Sequence, residues 1–299
     1  MRRTLKAILS SIVLSLAFAS VAHAQTNAAT AQARTASAPS ELMQGTRAYN
    51  ERKFAEAERR FRRALELDQT RKVIPLYIAR AIRGQFKPDD ASAENVATAE
   101  RAIAAYQEIK DRGPQDEDFY EEAYKAIIAI NVQLKREDRA VEVLTMRAND
   151  PFVSNERRAQ AFVILASRKL RCAEEITERS ESKTSEKERR ASSSDDKAPP
   201  DAGDFIRARG CVDEGLQLIE QADSLLPNEE AILLHKANLL REASKLAEME
   251  GNAELKEDYE RQYEESLDTR KRTGAEAQRK SEQNGSRATV APAAPPEPK

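Results

Sequence analysis

Tryptophan is absent from this chain of 299 residues, and histidine, cysteine and glycine are scarce, at two, two and nine. Each shortage removes a class of function. His23 lies in the first 24 residues and His235 stands alone beside Leu233, Leu234 and Lys236. Neither a Ser/His/Asp triad nor a multi-histidine zinc site can be assembled from them, and His235 reads as a packing or rim residue. The scattered glycines include no Gly-x-x-x-x-Gly-Lys-Ser/Thr loop to cradle a phosphate. No metal, no cofactor and no enzyme activity are expected. Carboxylates are plentiful, as at Glu121-Glu122 and Glu264-Glu265, but adjacent acids on helices read as solvated charged faces rather than as general acids.

Also missing are a membrane-length apolar run and a surplus of positive charge. The apolar stretch from Ala7 to about Ser20 falls short of the roughly 20 residues that cross a bilayer, and no later stretch is apolar enough to do so. Arg2, Arg3 and Lys6 precede it and Ala22-His23-Ala24, a small-x-small cleavage site, follows it. Residues 1–24 therefore read as a secretory signal, with the mature chain starting at Gln25; an uncleaved amphipathic anchor is the alternative. No cysteine lies near the cleavage site, so a lipid-modified N-terminus is not indicated. The expected location is outside the cytosol, in the periplasm or the medium. Even with the leader's cations included, 49 basic residues face 51 acidic ones, which argues against nucleic acid as a partner, because that binding rests on a cationic face.

What is present is a recurrence. A small residue is followed at offsets of four and three by a bulky residue and a third packing residue, then by a helix-stopping position. The sets are Ala57, Phe61, Ala64 and Gln69; Ala102, Tyr106, Ile109 and Pro114; Gly215, Ile219, Ala222 and Pro227; and, more loosely, Ala140, Leu144 and Pro151. Offsets of four and three place the packing residues on one helical stripe, where the small side chain admits a neighbouring helix. Past each of three stops, another packing residue follows at a constant interval, Ala79, Tyr124 or Ala237. This predicts an all-α chain of about five stacked antiparallel helix pairs, a thin two-layer solenoid rather than a deep globular core.

Residues 25–40 and 273–299 have no periodicity, and the second ends in a Pro-rich run; both are expected to be disordered. The solenoid occupies 41–272, interrupted by a polar insert at 181–203 that is also expected to be disordered. Within it, helices are predicted at about Glu41–Glu51 with Ser40 as cap, Phe54–Leu67, Lys72–Arg83, then through Ile109 after a break at Gly84 to Asp90. Further helices follow at about Glu117–Leu134, Arg136–Arg147, Asn155–Ile176 with Asn155 as cap, Asp204 to just before Pro227, Asn228–Met249 and Ala253–Lys271. The second pair is longer than the first, and the extra residues are expected in a surface loop or an elongated helix end.

Cys172 and Cys211 are the only cysteines, and an exported chain with two suggests one bridge. Each stands about as far along its helix from the shared turn as the other, so an antiparallel pair brings them level. A redox-active or metal-binding pair is the competing reading, without Cys-x-x-Cys spacing to support it.

The run Gly45-Thr-Arg-Ala-Tyr49, with Phe54-Ala-Glu-Ala57, Phe61 and Ala64-Leu-Glu-Leu-Asp68, resembles a tetratricopeptide repeat. The resemblance implies a right-handed superhelix whose concave face, lined by the first helix of each pair, takes a peptide or protein segment, and it implies no enzyme activity. Gln69 stands where Pro is usual and Gly215 where Ala is usual. Transferring the phase of the family's inner face puts Tyr49, Asn50, Arg80, Arg83, Lys125, Asn238 and Arg241 toward the concavity. Arg80 and Arg83 share a helix face and can fork onto a carboxylate, so the expected partner is an acidic or C-terminal segment; the plainer reading is that these are solvated side chains.

Two functions follow as expectations. One is an exported, non-enzymatic adaptor that holds another protein in its concave face. The other is a structural subunit of a cell-envelope assembly docking through its terminal helices, with Tyr259, Tyr263 and Leu267 as an exposed stripe. A carboxylate enzyme would need buried paired acids in a closed pocket.

Overall fold

The computed structural model describes residues 37–113, 116–190 and 202–288. The expected leader, most of the N-terminal segment, Pro114, the middle of the polar insert and the Pro-rich end lie outside the described residues. Among the described residues there are helices and no strands. In order they are α1 (residues 37–50), α2 (Phe54–Leu67), α3 (Ile74–Gln85), α4 (Ala93–Asp111), α5 (Glu117–Gln133), α6 (Glu137–Asn149), α7 (Asn155–Arg190), α8 (Ala202–Leu225), α9 (Glu230–Met249) and α10 (Ala253–Ala288). Two compact units result, one ending at Ala140 and the other starting at Val141.

In the first unit the small-bulky-small stripe does what its spacing predicts. Ala57, Phe61 and Ala64 are buried on α2, and Ala102 and Tyr106 on α4. α2 packs on α3, α3 on α4 and α4 on α5, the order of a stacked antiparallel array. Second neighbours also touch: Arg80 of α3 reaches Glu122 of α5, and Arg101 of α4 reaches Glu58 of α2. First helices therefore adjoin first helices and second helices adjoin second helices, which is the solenoid arrangement. The turn into α2 is closed by Arg52 in the left-handed region, φ 60°, with the Lys53 amide donating to the Ala48 carbonyl at 2.9 Å.

The extra residues of the second pair go both ways, into a loop at 86–92 and a longer α4. Buried Asn95 ties the loop down, its amide nitrogen donating to the carbonyls of Lys87 at 2.7 Å and Asp90 at 2.5 Å. Ser92 caps α4, and Asp116 caps α5 by accepting from the amides of Asp118 and Phe119.

The second unit is built on α7, whose Phe162, Leu165, Ala166, Leu170, Ala173 and Ile176 are all buried as the stripe predicts. α7 packs on α8 and α9, α8 on α9, and α9 on α10. Gly251 ends α9 at φ 71°, with the Asn252 amide returning to the Ala247 carbonyl at 2.9 Å.

Three expected disordered stretches are shorter than their composition suggests. α1 is already helical at 37, ahead of Ser40, which instead accepts a hydrogen bond from Gln44. α7 runs on through 181–190 and α8 begins at Ala202, so the ends of the polar insert are helical; α10 likewise passes Gly274 to reach Ala288. The reason is cooperativity. A helix already nucleated by its packed half extends at the cost of propagation alone, and Glu, Lys and Arg residues propagate well. Each of its two interior glycines, Gly274 and Gly285, weakens α10 by only about 1 kcal/mol relative to alanine.

The stripe on α10 also differs from expectation. Leu255, Tyr259, Tyr263 and Leu267 are half-buried, and Tyr259 packs against a core of Ala173, Ile176, Ala208, Cys211, Val212, Ala243 and Leu246. Tyr259 thus belongs to the second unit's own core, while Tyr263 and Leu267 keep part of their surface exposed.

Candidate functional site

In the first unit, α3 and α5 present the residues that sequence phase pointed to. Arg80 is forked, but onto this chain: Nε donates to Glu122 Oε1 at 2.7 Å and Nη2 to Oε2 at 2.5 Å. The carboxylate expected from a partner is thus supplied internally by α5. Glu122 holds Arg80 more firmly protonated, and burial works against it less strongly. At this exposure the pair contributes about 1 kcal/mol; its larger effect is to fix the guanidinium plane while leaving three of five N–H donors outside the fork.

Tyr49 is half-buried with its ring edge-on to Phe54, centroids 5.3 Å apart, and Phe54 in turn lies against Gly84, where a Cβ would stand 2.5 Å from the ring. Asn50 is exposed. Lys125 is exposed but paired, 3.1 Å from Glu121 Oε1. Glu121 is 3 % exposed, so Glu121-Glu122 is not a solvated acidic face: one acid is buried beneath Lys125 and the other clamps Arg80. Arg83 is half-buried. The structure therefore gathers Arg80, Arg83 and Tyr49 around two residues that sequence phase did not nominate, Glu122 and Tyr106.

Tyr106 reaches this cluster from α4. It is fully buried, and its hydroxyl makes no hydrogen bond of good geometry although Arg83 lies close enough to bear on its charge. Burial first, and the Glu122 carboxylate second, push its ionisation from 10.0 up to about 12, with Arg83 and Arg80 pulling weakly the other way. Glu122 lies 42 residues beyond Arg80 and Arg101 lies 43 beyond Glu58, both short of the 45 that separate Ala57 from Ala102, so repeat phase did not point to either charge partner.

In the second unit Asn238 is half-buried and Arg241 exposed, with Arg241 Nε 3.9 Å from Glu242 Oε1. Glu242 is the residue missed there. It is fully buried, accepts from Thr177 Oγ1 of α7 at 2.9 Å and lies 3.0 Å from Lys245 Nζ. His235 is half-buried, one ring nitrogen 2.8 Å from its own helix at the Ala231 carbonyl. Cys172 of α7 and Cys211 of α8 have Cα atoms 6.2 Å apart and sulfurs at 2.06 Å. Among the described residues no group of three His, Cys, Asp or Glu side chains is placed to hold a metal ion, and no helix is long and apolar enough to cross a membrane.

No family model and no curated protein matches the chain. Solved structures similar to it include the crystal structure of MamA protein, at 12 % identity and a TM-score of 0.36, covering 87 % of this chain and 98 % of that one. Another is the TPR2AB-domain:pHSP90-complex of yeast Sti1, at 15 % identity and a TM-score of 0.32, covering 78 % and 99 %. Neither superposition is close enough to bear on function.

Proposed function

We propose that this chain is an exported, non-enzymatic scaffold that holds a peptide or protein segment against the face of its first unit presented by α1, α3 and α5. The observation that supports this reading is the fixed row on that face. Arg80 is immobilised by Glu122, Arg83 stands one turn on, and Asn50 and Lys125 are exposed. Side chains held in advance lose little freedom when a partner arrives, which favours binding. Arg80's remaining donors and Arg83 suit carbonyls or an acidic side chain of the partner. Tyr259, one of the three α10 residues that an assembly subunit would dock through, is packed on the second unit's core, which weighs against the alternative of docking through the last helix.

Selection from a displayed random peptide library on the immobilised mature protein tests the reading. Selected peptides should bind the Arg80→Ala, Arg83→Ala variant about tenfold or more weakly. Unchanged affinity in that variant, or a library that yields no peptide at all, removes it.

A further inference from the structure

The other side of α3 carries a separate feature. Pro75, Ile78 and Ile82 recur at offsets of three and four and share one stripe, away from Arg80 and Arg83. They floor a cleft between α2 and α4. Glu58 of α2 meets Arg101 of α4, and Leu65 and Glu108, separated by the same offset, line the cleft, so the two helices run parallel along it. A second cavity that shares Arg62, Leu65 and Arg112 continues it toward Gln69. The result is an elongated trough with apolar walls at Leu65, Ala104 and Ala105 and guanidiniums at its rims.

The electrostatics of the trough are set by one buried carboxylate. Glu58, 7 % exposed, takes Arg62 Nη2 at 2.9 Å and Arg101 Nη2 at 2.6 Å on a single oxygen, and Gln85 at 2.7 Å on the other. Two guanidiniums are held by one negative charge, and each keeps half of its side chain exposed. The rim acids do not cancel the surplus: Glu66 pairs with Arg63 at 2.8 Å, and Glu108 lies 3.7 Å from Arg112.

We propose that this trough docks a segment of a partner protein in which an acidic side chain sits among apolar ones. The acid meets Arg62 and Arg101 in charge-assisted hydrogen bonds, and its apolar neighbours cover Leu65, Ala104 and Ala105. A trough lined from Arg62 to Gln69 on one side and from Arg101 to Arg112 on the other suits a chain segment rather than a small anion, and its side of α3 makes it distinct from the face described above. The molecule then has two docking surfaces.

Fluorescence anisotropy on the mature protein tests this with a labelled peptide of Leu-Glu-Leu-Ala repeats and its counterpart carrying Gln for Glu. The Glu peptide should bind about tenfold more tightly than the Gln peptide. Ala104→Glu, which plants the chain's own carboxylate beside Arg101, should abolish that preference, whereas Arg272→Ala, on an exposed position of α10 in the second unit, should leave it intact. Should circular dichroism show Ala104→Glu to be unfolded, Leu65→Glu on the facing wall carries the same expectation. Equal binding of the two peptides to the wild type, or an undiminished preference for Glu in the folded plugged variant, overturns the proposal.

Discussion

Gly45 and Phe61 are the residues at which the repeat pattern meets a hard steric limit. A Cβ on Gly45 would lie 2.6 Å from the Phe61 ring, and one on Gly215 would lie 2.6 Å from Leu239 Cδ2. Phe61 is 2 % exposed and Leu239 fully buried, so neither can swing away. This explains Gly215 where the repeat pattern usually has Ala. Gly45→Ala gains about 1 kcal/mol of helix propensity and loses about 1–3 kcal/mol to overpacking; a net loss of about 1 kcal/mol is expected from the urea midpoint. Two titrating residues bound the stability plateau. Burial pushes Glu58 up, but hydrogen bonds from Gln85, Arg101 and Arg62 outweigh it and hold the carboxyl below its ordinary 4.5. The folded state therefore releases that proton more readily than the unfolded chain, so Glu58 stabilises fully above 4.5 and ceases to do so as pH falls through its lower folded value. Tyr106 works at the other limb. Its folded value of about 12 exceeds the ordinary 10.0, so its contribution is complete below 10 and is lost as pH rises through the folded value. Glu58→Gln should flatten the acid limb, and Tyr106→Phe should extend the alkaline limb while costing little at neutral pH, since it removes a buried hydroxyl that lacks a partner. A pH series of thermal midpoints checks both; an alkaline limb identical in Tyr106→Phe would count against the assignment.

The elements divide by how their limits are set. α2 was legible from Phe54 to Leu67 because its apolar stripe begins and ends with the helix, and the stripe of α7 was equally plain. The far ends of α7 and α10 were not, because beyond Ile176 and Leu267 there is no apolar period to read and only helix propagation sustains the backbone. The same limit applies to the sites. The phase of α3 identified Arg80 and Arg83, but the acid that holds Arg80 comes from α5, 42 residues away, and local periodicity carries no information about charge partners at that distance. The Cys172–Cys211 pairing was legible because two antiparallel helices sharing one turn bring equidistant positions together. It spans 39 residues, and in the chain-entropy model closing such a loop contributes about 4 kcal/mol. Cys172→Ser with Cys211→Ser should lower the stability of α7 and α8 by about that amount, seen as faster amide hydrogen exchange in those helices. Exchange that is unaltered there would mean the bridge constrains nothing.

At the scale of the whole molecule, a stacked array transmits stability mainly between neighbours, so each unit should answer for its own contacts. Reduction of the bridge acts on the second unit; the Glu58 cluster, wholly within the first, should keep its acid limb in reduced protein. The bridge also links architecture to location. Two cysteines brought level across α7 and α8 will oxidise only where the compartment permits it, and the basic start, apolar run and Ala22-His23-Ala24 site are what would carry the chain there. The full chain expressed in a bacterium with a secretion pathway should therefore be recovered beginning at Gln25, with no thiol available to alkylation. A version lacking residues 1–24 should stay in the reducing cytosol, expose two alkylatable thiols after denaturation, and lose its second unit at lower urea than the exported form. Intact mass spectrometry before and after alkylation reads both properties at once. An exported product that still carries the leader would separate cleavage from export, whereas free thiols in an exported, folded product would break the proposed link between compartment and bridge.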